Sequence, residues 1–221
     1  MAHITGIVAS AKRQGRFDVL VDDQVIGTLA LDAIERLGLH VGRAVMPGDF
    51  DALGREVQAL RTVDRALDML AVRARSTRDL QRQLIRKGEP PDLVAQALER
   101  LTRMGVLDDA SYARQVARSK MAGSGVSKRR VRAELFKKGV DRVVADEAIE
   151  TVVLEDEVDE SANLERVAAK KAKTLARLDP QTKRRRLYAF LARRGYESED
   201  ISRVVRQLLE ESPSGDQEST A

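Results

Sequence analysis

The chain has 221 residues, with 39 basic and 35 acidic side chains and a formal net charge of +4. It contains no cysteine, which excludes a disulfide framework, a thiol nucleophile and thiolate metal ligation. No apolar run approaches the roughly 20 residues of a membrane span, and residues 1–15 lack the apolar centre of a secretory signal, so a cytoplasmic protein is expected.

Residues 4–9 and 17–21 are short runs rich in β-branched and apolar types. Asp22-Asp23 reads as a tight turn into Gln24–Thr28, which predicts a small antiparallel meander. Such a meander needs a cover for its apolar face. Leu29–Leu37 predicts a short helix stopped near Gly38. Pro47-Gly48 predicts a break, with Asp49 or Asp51 capping a helix towards Gln58.

From Val63 onward the apolar period lengthens to that of a helix. Ser76 reads as an N-cap, Leu80 and Leu84 share a face, and Gly88 ends the segment. A second stripe follows in Leu93, Val94, Ala97, Leu98 and Leu101, stopped at Gly105. Asp108 or Asp109 caps a third helix carrying Tyr112, Ala113, Val116 and Ala117. The unit then recurs. Ser127, Val131, Leu135 and Gly139 lie 51 residues beyond Ser76, Leu80, Leu84 and Gly88. Leu187, Leu191 and Gly195 lie 56 residues beyond their counterparts in the second copy. The strings DLQRQLIRKG, RVRAELFKKG and RLYAFLARRG each end in two basic residues and a glycine.

The expected fold is mainly α, with tandem three-helix repeats forming an elongated curved array and a small β-containing N-terminal region. The expected organisation is a β-meander with short helices over 1–58, one repeat over 59–120, a second over 121–178, and a truncated third over 179–211. Residues 212–221 are small and polar, and a disordered tail is expected there.

Charge is segregated along the chain. Arg166 to Arg194 holds eleven basic residues against the single acid Asp179, whereas Asp146 to Glu165 holds nine acids and no base. Lys128, Arg129, Arg130 and Arg132 crowd one helix start, and Lys183, Arg184, Arg185 and Arg186 another. A run of cations at a helix start opposes the macrodipole, and a partner that neutralises it is expected. Nucleic-acid backbone, an acidic protein groove, or both would serve. These two runs are the candidate partner-binding faces. The seven aromatic residues are scattered, which is poor material for a base-stacking platform.

No chemistry-bearing pattern emerges. His3 and His40 are the only histidines and fall in no metal-ligand spacing. Gly123-Ser-Gly-Val-Ser-Lys128 superficially resembles a phosphate loop but has neither the spacing nor a preceding strand, and it reads as an inter-helix linker. A non-enzymatic, monomeric binding protein with no cofactor and no metal is expected.

One stretch resembles a known family. ALDMLAVRARSTRDLQRQLIRKG (66–88) followed by VAQALERLTRMGVLDDASYARQVARSK (94–120) is similar to the RecX family, bacterial regulators of the RecA recombinase. The resemblance covers residues 60–211 well and the first 58 weakly. It implies tandem three-helix repeats that bind in the groove of the RecA filament on single-stranded DNA. There they restrain ATP hydrolysis, strand exchange and co-protease activity, with direct DNA contact by several members. Carried onto this chain, Leu80, Leu84, Gly88, Asp108, Asp109, Tyr112, Leu135, Gly139, Leu191 and Gly195 are repeat architecture. Two other readings of the charge stay open: a nonspecific DNA-binding protein that needs no recombinase, and a structural scaffold.

Overall fold

The computed structural model describes residues 2–11 and 13–210. The tail expected over 212–221 lies outside the described residues. The chain divides into two compact units at Leu107 and Asp108.

The first unit begins with three strands, β1 (Ala2–Ala9), β2 (Arg16–Val21) and β3 (Gln24–Ala30), paired antiparallel in sequence order. Asp22 and Asp23 both take positive φ, +47° and +64°, as a two-residue hairpin turn between right-twisted strands requires. A fourth strand, β4 (Ala44–Val45), pairs with β1 and completes the sheet order β3-β2-β1-β4. Two residues are too few to show an alternating pattern, so this strand is not legible in the sequence. Helix α1 (Leu31–Arg36) ends at Gly38, which takes φ +60°.

Helix α2 (Pro47–Val72) runs past Gln58, where the expected helix was heading, and on to Val72. It begins with Pro47 in its first turn, and Asp49 accepts a hydrogen bond from the Met46 backbone N–H at 2.8 Å. Asp49 thus serves from inside the first turn. No proline and only Gly54 interrupts the helix afterwards, so nothing halts it. Its two halves bury different faces. Leu53 and Val57 pack on the sheet with Ile4, Val19 and Leu29. Val63 and Ala66 pack against α3 (Thr77–Arg86) and α4 (Pro91–Arg103), with Leu80, Leu84, Val94, Ala97, Leu98 and Leu101. A Cβ at Gly27 would lie 2.3 Å from Val57 Cγ2, so glycine there lets α2 cover the sheet closely.

The second unit contains two three-helix cores. The second core of the chain joins α5 (Asp109–Arg118), α6 (Lys128–Lys138) and α7 (Arg142–Glu155) around Ala113, Ala117, Val131, Leu135, Ala148, Ile149 and Val152. The third joins α8 (Glu160–Thr174), α9 (Pro180–Arg193) and α10 (Ser198–Glu210) around Leu164, Ala168, Leu187, Leu191, Ile201 and Val204. This packing differs from the expected grouping in two ways. Helix α5 leads the second core instead of closing the first, and the third core is complete instead of truncated. Periodicity shows that a helix has an apolar face but not which neighbour covers it. Here the small residues Ala113 and Ala117 on α5 meet Ala145 and Ala148 on α7, which permits the close packing of those two helices.

The caps follow the expected chemistry. Ser76, Ser127, Asp108, Asp141, Asp159 and Asp179 each accept a backbone N–H of the first turn that follows. At Asp179 these backbone donors hold the carboxyl below its usual range.

Candidate functional site

The residues assigned to repeat architecture lie in the helical cores and at helix ends. Leu80, Leu84, Leu135 and Leu191 are fully buried. Asp108 accepts from Ala110 and Ser111 N–H at 2.9 and 3.0 Å, Asp109 opens the first turn of α5, and Tyr112 packs on the second core. Gly88, Gly139 and Gly195 take φ of +88°, +83° and +88° just past their helices. In the first core the buried Asp79 carboxylate is ringed by Arg75 at 3.2 Å, Arg82 at 3.7 Å and Arg73 at 4.0 Å. The cationic residues of the VRARS stretch therefore latch the start of α3.

The two candidate basic faces differ from one another. The run at the start of α6 is largely engaged within the protein. Arg129 donates to the Gly195 carbonyl at 3.1 Å and pairs with Glu197 at 3.3 Å. Arg132 pairs with Asp146, and the Lys128 backbone N–H donates to Glu160 at 3.0 Å. A cleft of about 350 Å³ lies here, lined by Lys128, Arg129 and Arg132 but also by Glu160, Glu197 and Asp200. Arg130 is exposed and makes no side-chain ion pair among the described residues. Much of this run is thus neutralised by acids of α8, α7 and the α9–α10 link. At the end of the acidic segment Asp159 caps α8, and Glu160 in its first turn reaches back to the start of α6.

The second run stands free. Arg184, Arg185 and Arg186 are exposed, Lys183 is half-buried, and none of the four is in an ion pair among the described residues. The run lies in the second turn of its helix. Asp179 is the cap and Pro180 the first helical residue, so Lys183 begins the second turn. The macrodipole acts chiefly within the first turn, and its opposition to these cations is correspondingly weaker.

A dense joint links the two cores of this unit. The Ser127 N–H donates to the Arg194 carbonyl at 3.0 Å. Arg194 and the Tyr196 hydroxyl both donate to the Gly125 carbonyl, at 3.3 and 3.1 Å. Burial, with the nearby Glu160 carboxylate, pushes the Tyr196 hydroxyl up to about 12. Among the described residues no group of three or more His, Asp or Glu side chains could hold a metal ion. Among the described residues no helix is long and apolar enough to cross a membrane.

Three family models match in tandem: the first three-helix domain of RecX over residues 63–101, the second over 108–149 and the third over 158–205. The chain belongs to the RecX family. The boundaries of these domains agree with the three helical cores, with α5 opening the second and α8 the third. A regulatory protein RecX of Amycolatopsis mediterranei is 38% identical over 144 residues, covering 65% of this chain and 81% of the relative. One of Chlorobium phaeobacteroides is 32% identical over 149 residues, covering 67% of this chain and 94% of the relative. A crystal structure of a regulatory protein RecX superposes with a TM-score of 0.74 at 21% identity, covering 94% of this chain and 100% of that one. RecX of Lactobacillus salivarius gives 0.54 at 19% identity over 68% and 96% of the two chains. At such identities the structural likeness speaks for the fold. Membership makes this a regulatory protein with a general role in modulating RecA, not an enzyme.

Proposed function

We propose that the chain acts as a cytoplasmic monomer that lies in the groove of the RecA filament on single-stranded DNA. There it restrains ATP hydrolysis, strand exchange and co-protease activity. The observation that carries this reading is the tandem set of three RecX domains, the last bearing the unpaired run Lys183–Arg186. Repeated modules suit a repeating polymer, because each further weak contact forms at high effective concentration. Of the two basic runs, Lys183–Arg186 is the better contact surface, because its charges need no rearrangement to meet a partner. Lys128, Arg130 and the outer edges of Arg129 and Arg132 contribute at the rim.

The test is recombinase ATPase and strand exchange on single-stranded DNA, with and without equimolar protein. Both fall on this reading, and no change in either refutes it. Replacing Lys183, Arg184, Arg185 and Arg186 together by Gln slows association with the filament and flattens its salt dependence. Unchanged filament affinity after that replacement favours a scaffold with merely solubilising charge.

A further inference from the structure

The third core carries a second cluster of cations, away from Lys183–Arg186. A cleft of about 310 Å³ opens between α8, α9 and the Gly123-Ser124 linker. It is lined by Arg166, Lys170, Lys171 and Arg194, and no carboxylate lines it. None of these four side chains is in an ion pair among the described residues. Arg166 donates to the neutral Asn163 amide oxygen at 2.8 Å, and Arg194 to the Gly125 carbonyl. Two of the cations are held in place by an aromatic face: Arg194 lies 4.6 Å and Lys171 5.4 Å from the centre of the Phe190 ring. The linker reaches the cleft through a π-helical turn over Ser119–Gly123, an irregularity enriched at binding sites.

The second core provides an internal control. Aligning the caps Asp108 and Asp159, and the buried leucines Leu135 and Leu191, places Lys120 opposite Lys171 and Glu134 opposite Phe190. Lys120 and Glu134 form an ion pair at 3.0 Å. Gln115 and Ser119 stand where the third core has Arg166 and Lys170. The same place on the module therefore holds an internal ion pair in one copy, with Lys138 opposite Arg194. In the other it has lost its carboxylate and gained two cations. Like charges gathered around one cleft repel each other unless an anion joins them. Core packing does not require this change, since the buried positions correspond in both copies.

We propose that this cleft binds a phosphodiester group of a single-stranded nucleic-acid backbone. Arg166, Lys170, Lys171 and Arg194 contact the phosphate oxygens, and Phe190 is a positioning residue that fans the cations around the opening. Guanidinium groups give directional, charge-assisted hydrogen bonds to such oxygens, and the ammonium groups add point charge. The choice of a single strand rests on the filament reading above, but the test uses bare DNA and stands or falls without recombinase.

The measurement is anisotropy of fluorescein-labelled oligothymidine titrated with the full chain over a series of salt concentrations. Each phosphate contact on a single strand contributes about 0.7 to the slope of log affinity against log salt. The double replacement Arg166→Gln with Lys171→Gln lowers that slope by about 1.4 and weakens binding about 25-fold near 0.1 M salt. Phe190→Glu, which recreates the carboxylate of the second core, also lowers the slope, and the double replacement melts near the parent. Inorganic phosphate and polyglutamate serve as competitors. Weak competition by both, with the slope changes above, supports a nucleic-acid site. Displacement of the oligonucleotide by inorganic phosphate at equal phosphate concentration marks a free-anion site and overturns the proposal. Equal displacement by polyglutamate marks an acidic protein partner and overturns it too. Unaltered slopes in well-folded variants, or no oligonucleotide binding by the parent chain, also overturn it.

Discussion

Gly195→Ala should be the most informative single substitution in the joint between the last two cores. The residue sits at φ +88°, and an added Cβ would lie 2.6 Å from both Arg130 Cβ and Ser127 Oγ and 3.2 Å from the Arg130 N. The left-handed conformation alone costs an L-residue about 1 kcal/mol. The overlap must in addition push the first turn of α6 away from the end of α9. That movement strains the Ser127 N–H bond to Arg194, the Arg129 bond to the Gly195 carbonyl and the Ser127 cap on Arg130. With about 1 kcal/mol for each such bond, the total loss is about 3–4 kcal/mol. Gly88→Ala is the control. Gly88 has the same φ, but its Cβ would meet nothing within 4 Å, so only the conformational term, about 1 kcal/mol, applies. Urea unfolding followed by circular dichroism measures both, with hydrogen exchange reporting each compact unit separately. Equal losses for the two variants would refute the claim that close approach at Gly195, and not its backbone conformation, sustains the joint.

Three further outcomes are expected. Ser127→Ala removes a buried N-cap that accepts from the Arg130 N–H at 3.2 Å, and should cost about 1 kcal/mol in the same unfolding assay. Leu135→Ala empties the fully buried centre of the second core and should cost about 2–5 kcal/mol, with exchange protection lost in α5, α6 and α7 before the first unit. The Tyr196 hydroxyl, pushed up to about 12 by burial, keeps its proton in the folded chain where an unfolded tyrosine ionises near 10. Its contribution is therefore intact below about pH 10 and lost between about pH 10 and 12, on the order of 2 kcal/mol. Tyr196→Phe should remove that alkaline decline while lowering neutral-pH stability through the lost bond to Gly125.

The contrast between the two basic runs shows where one-dimensional reading of charge fails. In sequence, Lys128–Arg132 and Lys183–Arg186 look alike, each a cluster near a helix start. Whether a cation is available depends on acids distant in the chain. Arg129 meets Glu197 and Arg132 meets Asp146, whereas Lys183–Arg186 meet none among the described residues. The cluster of Arg166, Lys170, Lys171 and Arg194 was visible only as part of a long basic stretch. Aligning Lys120 and Glu134 with Lys171 and Phe190 would have singled it out, because the loss of an internal partner is written in that comparison.

Much of the local structure is settled by sequence alone. Cap residues, glycine stops and apolar spacing define α3, α4, α6 and α9, because these are interactions among residues within a few positions of one another. The tandem repeat and the family resemblance are legible for the same reason. Tertiary structure alone decided that α2 runs unbroken from the sheet to the first helical core, and that α5 and α8 open their cores instead of closing the preceding ones. An apolar stripe states that a face will be buried, but its partner is chosen by complementary size, as Ala113 and Ala117 are matched by Ala145 and Ala148. The same holds for charge: a sequence names the cations, and only the fold determines which of them an internal carboxylate has already neutralised.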